Sequence, residues 1–577
     1  MGYGLWQPAC ACKHQYWFKN ILLTAIKTCN MFNRNSTTYI LAAALAISLL
    51  DTACSKKIDE AYLNPNAQVV EPIEQLLPSV IANFTAGSSA ANSGNGTAGD
   101  AREIGRYIQY WAQNTNNYQY DRMGGTNGGN GGILGYTWTM HYAAVGQNLN
   151  QIINWGSQQQ KWDYVGAAWA IRAWSWLTLG DEYGNVILKE AFDNSRTQFD
   201  YDSLSMVYDT VRVTAQRALT FLNQAGTGIS ANLAIGDKYF NNGDLDKWKK
   251  FAYGVLARSF HHLSNKSTYQ ADSVIKYCDL AMSVNNDNCI QTFENSNVSG
   301  TMNYFGPTRG NVGSIRQTVF IADLLSGNNP LFPGIQDPRI YYLIRENANG
   351  TFKGISPVKG AAASTGLATN DLPTNFWGST YTSTTATDDK NARFIFRNQA
   401  PFPVMTACEM QFIKAEAQFI KGDKAGALAT YRNAIQLHID MLKNDYATNV
   451  PANGLITDAA ENAYLNNTAI VPETADKLTL SHIMLQKYIA LYGWNAHETW
   501  VDMRRYHYID KDANGNQVYT GWVPLAVTDI YPDNNGKYVY RARPQNTSEY
   551  LYNIIAVTAM GGTATDYCTH ECWFSMK

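Results

Sequence analysis

Apolar residues recur at alternating steps of three and four along the stretch Phe402–Leu442, which is the spacing of one helix face. The first stripe consists of Met405, Cys408, Phe412, Ala415 and Phe419. It ends at Gly422, which can close a helix in the left-handed conformation, and Asp423 can cap the next helix. The second stripe consists of Leu428, Tyr431, Ile435, Ile439 and Leu442. We therefore predict two antiparallel helices with Phe412 and Tyr431 buried across one seam.

Similar pairs of helical patterns occur earlier in the chain. One pair is predicted at Asp163–Gly180 and Ser203–Ala225, and another at Leu245–Ser264 and Gln270–Val284. A further pair, split by loops, lies closer to the start of the chain. Because the spacing of these pairs is irregular, the pattern indicates a helical scaffold with insertions rather than a tandem array. Taken alone, the stretch Phe402–Leu442 also fits an ordinary helical hairpin.

Residues 285–400 interrupt this helical rhythm with a segment rich in Asn, Gly, Thr and Ser. Since a structureless loop of this length is uncommon in a compact domain, we predict that it carries short strands or turns. The predicted fold class is mainly α. It comprises about four pairs of tetratricopeptide-like helical hairpins, long loop insertions and small β elements in a single domain.

Residues 31–53 have the pattern of a signal peptide. Arg34 supplies a positive charge, and the twelve-residue apolar run from Tyr39 to Leu50 is too short to span a bilayer as a helix. Cys54 follows this run almost directly and resembles the cysteine of a bacterial lipobox. Asp51 departs from that motif, because an aliphatic residue is usual three places before the cysteine. The alternative is a plain secretory signal with an incidental cysteine.

This N-terminal pattern predicts how the chain is divided. Residues 1–30 are expected to be an upstream overcall of the start codon, and residues 31–53 a lipoprotein signal peptide. Cys54 is the predicted lipidation site. The polar residues 54–70 then form an exposed tether, and residues 71–577 form the helical domain.

The net charge of the chain is −2 and only 16% of its residues are charged. This composition favours neither a nucleic-acid partner nor a polybasic membrane surface. Aromatic residues, by contrast, are frequent, with 36 Tyr, 21 Phe and 15 Trp. They can fill the core, or they can form stacking platforms for a flat ligand such as a sugar ring.

Aromatic residues in the Asn/Gly-rich segments have no periodic packing partner, unlike those in the helical stripes. We therefore predict that some of them are exposed and bind a ligand by stacking. The candidates are Trp111, Tyr118, Tyr120, Tyr304, Phe305, Trp377 and Tyr381. The alternative is that they attach their loops to the scaffold.

Catalytic motifs are absent from the sequence: it contains no GxSxG, HExxH, phosphate-binding glycine loop or paired CxxC. Glu409 and Glu416 lie on one predicted helix face. For these two residues we favour structural ion pairs over a role as paired catalytic carboxylates. Cys568 and Cys572 flank His570. A disulfide or two free thiols is favoured there over a metal site, because further ligands at a known spacing are missing.

Asp510, Asp512, Asn514 and Gly515 resemble the beginning of a calcium-binding loop, in which oxygen ligands alternate and Gly occupies the sixth position. The twelfth position, however, is Gly521, where a Glu is expected. Asn and Gly in succession are also typical of a hairpin turn, which we favour. A structural calcium ion is the alternative, and no other cofactor is predicted.

Several segments together resemble the SusD/RagB family. They are Arg172–Phe192 (RAWSWLTLGDEYGNVILKEAF), Gly243–Phe260 (GDLDKWKKFAYGVLARSF), Asp337–Arg339 (DPR), Phe412–Asp423 (FIKAEAQFIKGD), Leu485–Arg505 (LQKYIALYGWNAHETWVDMRR) and Ser548–Asn553 (SEYLYN). Each segment is a weak signal alone, but their shared order along the chain is specific.

The resemblance implies a lipid-anchored nutrient-binding protein on the cell surface of Bacteroidetes, built on tetratricopeptide-like hairpins. Its expected partner is a SusC-like TonB-dependent outer-membrane transporter, and its expected ligand is an oligosaccharide or a peptide. The resemblance to this family implies neither an enzyme nor a nucleic-acid partner. The alternatives are a secreted α/α-barrel glycosidase or polysaccharide lyase, and a structural surface protein without a small-molecule ligand.

Overall fold

Helices make up most of the regular structure in the computed structural model, which describes residues 72–85, 97–124, 134–294 and 301–577. The first nine are α1 (Ile73–Phe84), α2 (Thr97–Tyr107), α3 (Tyr136–Thr139), α4 (Gly146–Gln158), α5 (Trp162–Tyr183), α6 (Leu204–Ala225), α7 (Leu233–Gly236), α8 (Leu245–His261) and α9 (Ala271–Leu280). They are followed by α10 (Val319–Ser326), α11 (Ile340–Leu343), α12 (Ala407–Lys421), α13 (Lys424–Asp445), α14 (Asp458–Leu465), α15 (Leu480–Ala490), α16 (Ala496–Arg505), α17 (Glu549–Tyr552) and α18 (Ile554–Ala559).

The predictions for the start of the chain lie outside the described residues. They concern the upstream overcall (1–30), the signal peptide (31–53), the lipidated Cys54 and the tether (54–70). From Pro72 onwards, the described residues belong to one compact unit. Within these residues, we find no helix long and apolar enough to cross a membrane.

The predicted hairpin is present as α12 and α13, and its ends follow the predicted signals. Gly422 has a φ of +93°, the left-handed conformation that ends α12. The Asp423 side chain accepts the Gly426 N–H at 2.9 Å and caps α13. The helix begins later than the apolar stripe suggested, because Thr406 caps α12 and the residues before it form a strand.

Phe412 and Tyr431 meet across the seam of this hairpin. Their ring centroids lie 6.3 Å apart at an interplanar angle of 67°. Both side chains are fully buried, and the Tyr431 hydroxyl donates to the backbone oxygen of Ile470 at 2.7 Å. The prediction of a shared buried seam is therefore confirmed.

The other predicted pairs are also present. Helix α5 packs along α6, α8 packs against α9, and the loop-split pair consists of α1 and α4. Ser203 caps α6 by accepting the Met206 N–H. Helix α9 ends at Leu280, four residues before its predicted end, because Ala281 leaves the helical conformation with ψ at −150°. The predicted fold class, a mainly helical scaffold of tetratricopeptide-like pairs, is confirmed.

Two small antiparallel sheets tie the long insertion to the helices. Their strands are β1 (Trp111–Gln113), β2 (Cys289–Gln291), β3 (Ile315–Gln317) and β4 (Phe402–Met405). β1 pairs with β3, and β2 pairs with β4, so that the insertion after α9 returns to the start of α12. The expected short strands between residues 285 and 400 are thus observed.

Buried ion pairs join the hairpins to one another. Arg258 on α8 contacts Glu409 on α12 at 2.6 Å, and Arg505 on α16 contacts Glu416 at 2.8 Å. Burial opposes ionisation of Glu416, but its surrounding partners, Arg505 first and then His261 and Lys487, outweigh burial and hold the pKa of that carboxyl well below its usual range. The two glutamates are structural ion-pair partners, as expected from the sequence.

The segment with calcium-loop spacing forms a tight turn. The Asp512 carboxylate accepts the N–H groups of Asn514 and Asn516 at 2.9 and 3.0 Å, and the Asp512 N–H donates to the Asn516 backbone oxygen at 2.7 Å. Asp510 instead contacts the His507 ring at 2.7 Å. This is the favoured hairpin turn, and calcium binding by Asp510, Asp512 and Asn514 stays a prediction.

The two cysteines near the C-terminus, Cys568 and Cys572, are buried and do not form a disulfide with each other. The Cys572 thiol donates to the backbone oxygen of Tyr540 at 3.1 Å. Of the alternatives that the sequence left open, the structure shows two thiols rather than a disulfide.

Candidate functional site

A cavity of about 530 Å³ opens between the helix that begins at Tyr136, the loop after α5 and the C-terminal segment. Four aromatic residues line it: Trp138, Tyr142, Phe192 and Phe199. The polar residues around them are Thr139, Gln147, Asp193, Asn194, Arg196, Gln545, Thr547, Ser548 and Glu549, and the remaining lining is Ala143, Ile187 and Ala191. We call this cavity the aromatic pocket.

The first wall contains a π-helical stretch, Met140–Val145, between α3 and α4. Such wider turns are rare inside helices and are frequent at functional sites. Here the stretch presents Tyr142 beside Trp138, with the ring centroids 4.8 Å apart. The Tyr142 hydroxyl donates to the Ile187 oxygen at 2.7 Å, and burial raises the pKa of this phenol well above its usual value. Tyr142 is therefore a fixed, neutral part of the wall.

The second wall is the loop 188–201, which has no helix or strand of its own. Its ends are joined by two backbone hydrogen bonds between Val186 and Asp202, at 3.2 and 2.8 Å. The Asp202 carboxylate also accepts the N–H groups of Leu188 and Lys189. The loop is thus closed at its base, and its outer part carries the two phenylalanines of the pocket.

Phe192 occupies an unfavourable backbone conformation within this loop, with a φ of +67°. A bulky residue rarely adopts this conformation, and such strain is concentrated at functional sites. The ring packs so closely on α4 that a Cβ at Gly146 would lie 2.2 Å from it, so this contact requires glycine. Phe192 also lies 6.1 Å from the Tyr142 ring, between ring centroids. It is a lining residue that the fold holds under strain.

The third wall comes from the C-terminal segment. Asn553 hydrogen-bonds both backbone groups of Phe199, at 3.1 and 2.9 Å. Glu549 accepts the Tyr201 hydroxyl at 2.8 Å and the Asn553 side-chain N–H at 3.0 Å. These contacts fix the second half of the loop. Glu549 and Asn553 belong to the segment SEYLYN, and Phe192 ends the segment that begins at Arg172, so two of the family-like segments meet at the pocket.

The rim of the aromatic pocket is polar, and its charged lining residues are two carboxylates, Asp193 and Glu549, and one guanidinium, Arg196. Arg196 pairs with Glu190 at 2.7 Å and with Asp193 at 3.2 Å. The Gln147 amide donates to the Asn194 side-chain oxygen at 3.4 Å. Aromatic faces with amide and hydroxyl groups around them suit a ligand that has flat apolar faces and many hydroxyl groups. A sugar ring has this character.

Six of the seven aromatic residues predicted from the sequence are buried. They are Trp111, Tyr120, Tyr304, Phe305, Trp377 and Tyr381, with exposed fractions between 0% and 6%. The expectation of exposed platforms is wrong for these six. Tyr118 is half-buried, and the Arg106 guanidinium lies 4.6 Å from the centre of its ring.

The buried aromatics attach the loops to one another. Trp111 and Phe305 have ring centroids 6.1 Å apart, and the Trp377 indole N–H donates to the Phe305 oxygen at 2.9 Å. The Arg316 guanidinium lies 5.4 Å from the centre of the Tyr381 ring. Polar loops of this length are held in place by burying their few large apolar side chains. None of the seven residues lines the aromatic pocket, and a ligand-binding role for them stays a prediction.

The four aromatic residues of the pocket were missed as ligand-binding candidates. Tyr142 has the spacing of a helical stripe with Val145, Leu149 and Ile152, and that pattern predicts core packing rather than a ligand contact. Phe192 and Phe199 stand in a loop, where they flank six polar residues, 193–198. That pattern of two aromatics around a short polar run was the available signal.

One buried cluster in the described part of the chain has the composition of a metal site: Asp181, His262 and Glu498. The His262 ring, however, lies 3.3 Å from Asp181 and 2.9 Å from Glu498. Burial opposes its protonation, but the two carboxylates outweigh burial and raise the pKa of His262 to about 9. A protonated imidazole therefore supplies the positive charge between the carboxylates.

Residues 66–523 match the SusD-like family, which is described as starch-binding and associating with the outer membrane. A comparison with curated protein sequences gave no significant match.

Solved structures of similar fold cover most of the chain. A SusD homologue from Bacteroides fragilis is 17% identical, with a TM-score of 0.64 over 87% of this chain and 100% of that one. A SusD/RagB family protein from Bacteroides thetaiotaomicron is 20% identical, with a TM-score of 0.62 over 88% and 99%. A chitin-binding SusD homologue from Flavobacterium johnsoniae is 16% identical, with a TM-score of 0.63 over 88% and 99%. At these identities the likeness concerns the fold alone.

Proposed function

Because the chain belongs to the SusD-like family of outer-membrane-associated binding proteins, we propose that it captures an oligosaccharide in the aromatic pocket and delivers it to a partner transporter. The family was identified correctly from the order of its motif segments. Members are binding proteins, so this chain is not an enzyme, and the glycosidase or lyase alternative is set aside.

The observation that carries the proposed ligand class is the lining of the aromatic pocket. Sugar rings present apolar C–H faces, which stack on aromatic side chains, and hydroxyl edges, which bond to polar groups. Trp138, Tyr142 and Phe199 offer aromatic surface, while the rim offers amides and hydroxyl groups. A volume of about 530 Å³ accommodates a short segment of an oligosaccharide. A peptide, the second ligand class expected from the resemblance, is the less suited of the two because Arg196, the arginine of the lining, is already paired with Glu190 and Asp193.

The cellular arrangement that we propose has two further parts. Cys54 carries the lipid that anchors the protein to the outer membrane, on the cell surface. A SusC-like TonB-dependent transporter receives the ligand. Support comes from the outer-membrane association of the family and from the position of Cys54 after an apolar run of signal-peptide length.

Calorimetric titration with maltooligosaccharides and chitooligosaccharides tests the proposed binding. Phe199→Ala removes a pocket ring while leaving the backbone bonds to Asn553 in place, and it should weaken binding about ten-fold or more. The matched control is Tyr552→Ala, because that side chain is 70% exposed and lies outside the pocket lining. If oligosaccharides bind the wild type and the Phe199→Ala variant equally, the pocket is not the binding site.

A further inference from the structure

Arg172 lies behind the aromatic pocket with its charge unpaired. The side chain is 6% exposed, and no ion pair within the described ranges includes it. One guanidinium nitrogen donates to the Gly146 oxygen at 2.7 Å and to the Asn150 side-chain oxygen at 2.9 Å. Burying a guanidinium is unfavourable unless an acceptor of opposite charge compensates it. Among the described residues, the groups that accept hydrogen bonds from Arg172 are both neutral.

Two polar atoms in this region are buried without a hydrogen-bond partner among the described residues. They are Nε of Arg172 and Nε2 of His141. The other His141 nitrogen contacts the Ser175 hydroxyl at 2.6 Å. Burial and the nearby charge of Arg172 hold the pKa of His141 well below its usual value, so its ring is neutral. The region therefore carries a single positive charge, on Arg172, together with unused hydrogen-bonding capacity.

Phe192 covers this charge from the pocket side. The Arg172 guanidinium lies 4.8 Å from the centre of the Phe192 ring, and the His141 ring lies 5.9 Å from it, between centroids. Phe192 itself lines the pocket. Its φ of +67° is a strained backbone conformation, and a rotation of the backbone at Phe192 that moves the ring away from Arg172 would relieve that strain. One strained side chain thus separates an unpaired buried cation from a cavity of ligand size.

We propose that the aromatic pocket takes a saccharide that carries a carboxylate, such as a uronic acid unit, and that the carboxylate pairs with Arg172 once Phe192 turns aside. This inference rests on the proposed function and specifies its ligand class. An arginine and a carboxylate form two parallel charge-assisted hydrogen bonds, which would use the free Nε of Arg172. Elsewhere on the rim, Arg196 is already paired with Glu190 and Asp193, so it does not compete for the carboxylate.

The test uses matched acidic and neutral saccharides. Oligosaccharides of galacturonic, mannuronic and guluronic acid are titrated calorimetrically into the wild-type protein, each alongside its methyl ester. For at least one of the three sugars, the acid should bind about ten-fold or more tightly than its ester, since a charge-assisted pair is lost on esterification. The preference should shrink as the ionic strength rises.

Variants then assign the preference to Arg172. Arg172→Gln should remove the preference for the acid, and Arg172→Lys should restore part of it. The matched control is Arg217→Gln, an exposed arginine on α6 outside the pocket lining, whose replacement should leave the preference unchanged. Phe192→Gly, which removes the cover and relieves the strain, should strengthen binding of the acid by more than that of the ester. If Arg172→Gln fails to fold, the effect of Phe192→Gly on acid and ester binding tests the inference instead.

The outcomes separate this inference from the proposed function. The carboxylate inference is overturned if neutral oligosaccharides bind and no acid is preferred over its ester. It is also overturned if a preference for the acid survives Arg172→Gln. Both outcomes leave the proposed function in place. An equal effect of Phe192→Gly on acid and ester overturns the carboxylate inference as well. Absence of binding by every saccharide, acidic or neutral, with binding of acidic peptides instead, overturns both.

Discussion

The side chain of Asn553 holds the backbone of Phe199 from two sides. Its oxygen accepts the Phe199 N–H at 3.1 Å, and its nitrogen donates to the Phe199 carbonyl oxygen at 2.9 Å. The two residues are 354 positions apart in the sequence. A residue of the C-terminal segment thereby sets the position of a ring that lines the aromatic pocket.

Asn553→Ala should lower both stability and ligand binding. The side chain is buried, so its loss leaves two backbone groups without partners, which costs about 1–3 kcal/mol of unfolding free energy. Chemical denaturation measures this cost, and calorimetric titration with the oligosaccharide that binds best measures the weakened capture. Asn514→Ala, in the exposed turn after α16, is the control and should change neither quantity. Unchanged binding by Asn553→Ala would show that the loop position does not matter for the ligand.

Phe412→Ala should destabilise the protein by about 3–5 kcal/mol, because it leaves a cavity in the seam between α12 and α13. The loss is measured by urea denaturation. Ile420→Ala on the same helix is the control. That side chain is 41% exposed, so its replacement should cost less than about 1 kcal/mol. A denaturation midpoint that stays at the wild-type value in Phe412→Ala would contradict the buried seam.

Stability should fall as the pH rises from about 6.5 to about 9, because of His262. Its pKa of about 9 in the folded protein exceeds the ordinary histidine value of about 6.5. The stabilisation from its charge is therefore complete below pH 6.5 and is lost as the pH passes the folded pKa. The expected size is of the order of 3 kcal/mol.

Denaturation curves across this pH range, compared with those of His262→Gln, isolate the contribution of the histidine. The variant should be less stable at pH 6.5, where the wild type still has the charged ring between Asp181 and Glu498. It should also lose less stability between pH 6.5 and pH 9. An equal slope in the two proteins would mean that His262 is not charged in the fold.

Cys54→Ala should release the protein from the membrane fraction of cells that lack the partner transporter. The physical reason is the loss of the lipid, whose buried methylene groups supply the membrane affinity. Cell fractionation measures the release from the membrane, and labelling with a radioactive fatty acid measures the loss of the lipid. Asn64→Ala, in the predicted tether, is the control and should behave as the wild type. Continued membrane association of Cys54→Ala would exclude this anchor.

The helical hairpins could be predicted from the sequence because their signals are local. In α12 and α13, the apolar stripes, Gly422 and Asp423 all lie within one stretch, and each acts on its own neighbourhood. The error at the start of α12 arose because Met405 fits the stripe although it pairs with Cys289 in a sheet. That pairing depends on a residue more than a hundred positions away, so it left no local trace.

The aromatic pocket could not be predicted for the same physical reason. Its walls come from the π-helical stretch, the loop after α5 and the C-terminal segment, which meet only in the folded chain. Local reasoning also misplaced Trp111 and Phe305. It treated an aromatic residue in a polar loop as unpaired, whereas these two pack against each other from separate loops. The family-like segments were found correctly, but their role in building the pocket required the structure.

A crystal structure of the protein with the oligosaccharide that binds it most tightly in solution tests directly whether the aromatic pocket is the ligand site. We expect density for a sugar ring inside the aromatic pocket, against the faces of Trp138, Tyr142 or Phe199. A sugar bound elsewhere, for example over Tyr118, with the aromatic pocket unoccupied, would contradict this expectation.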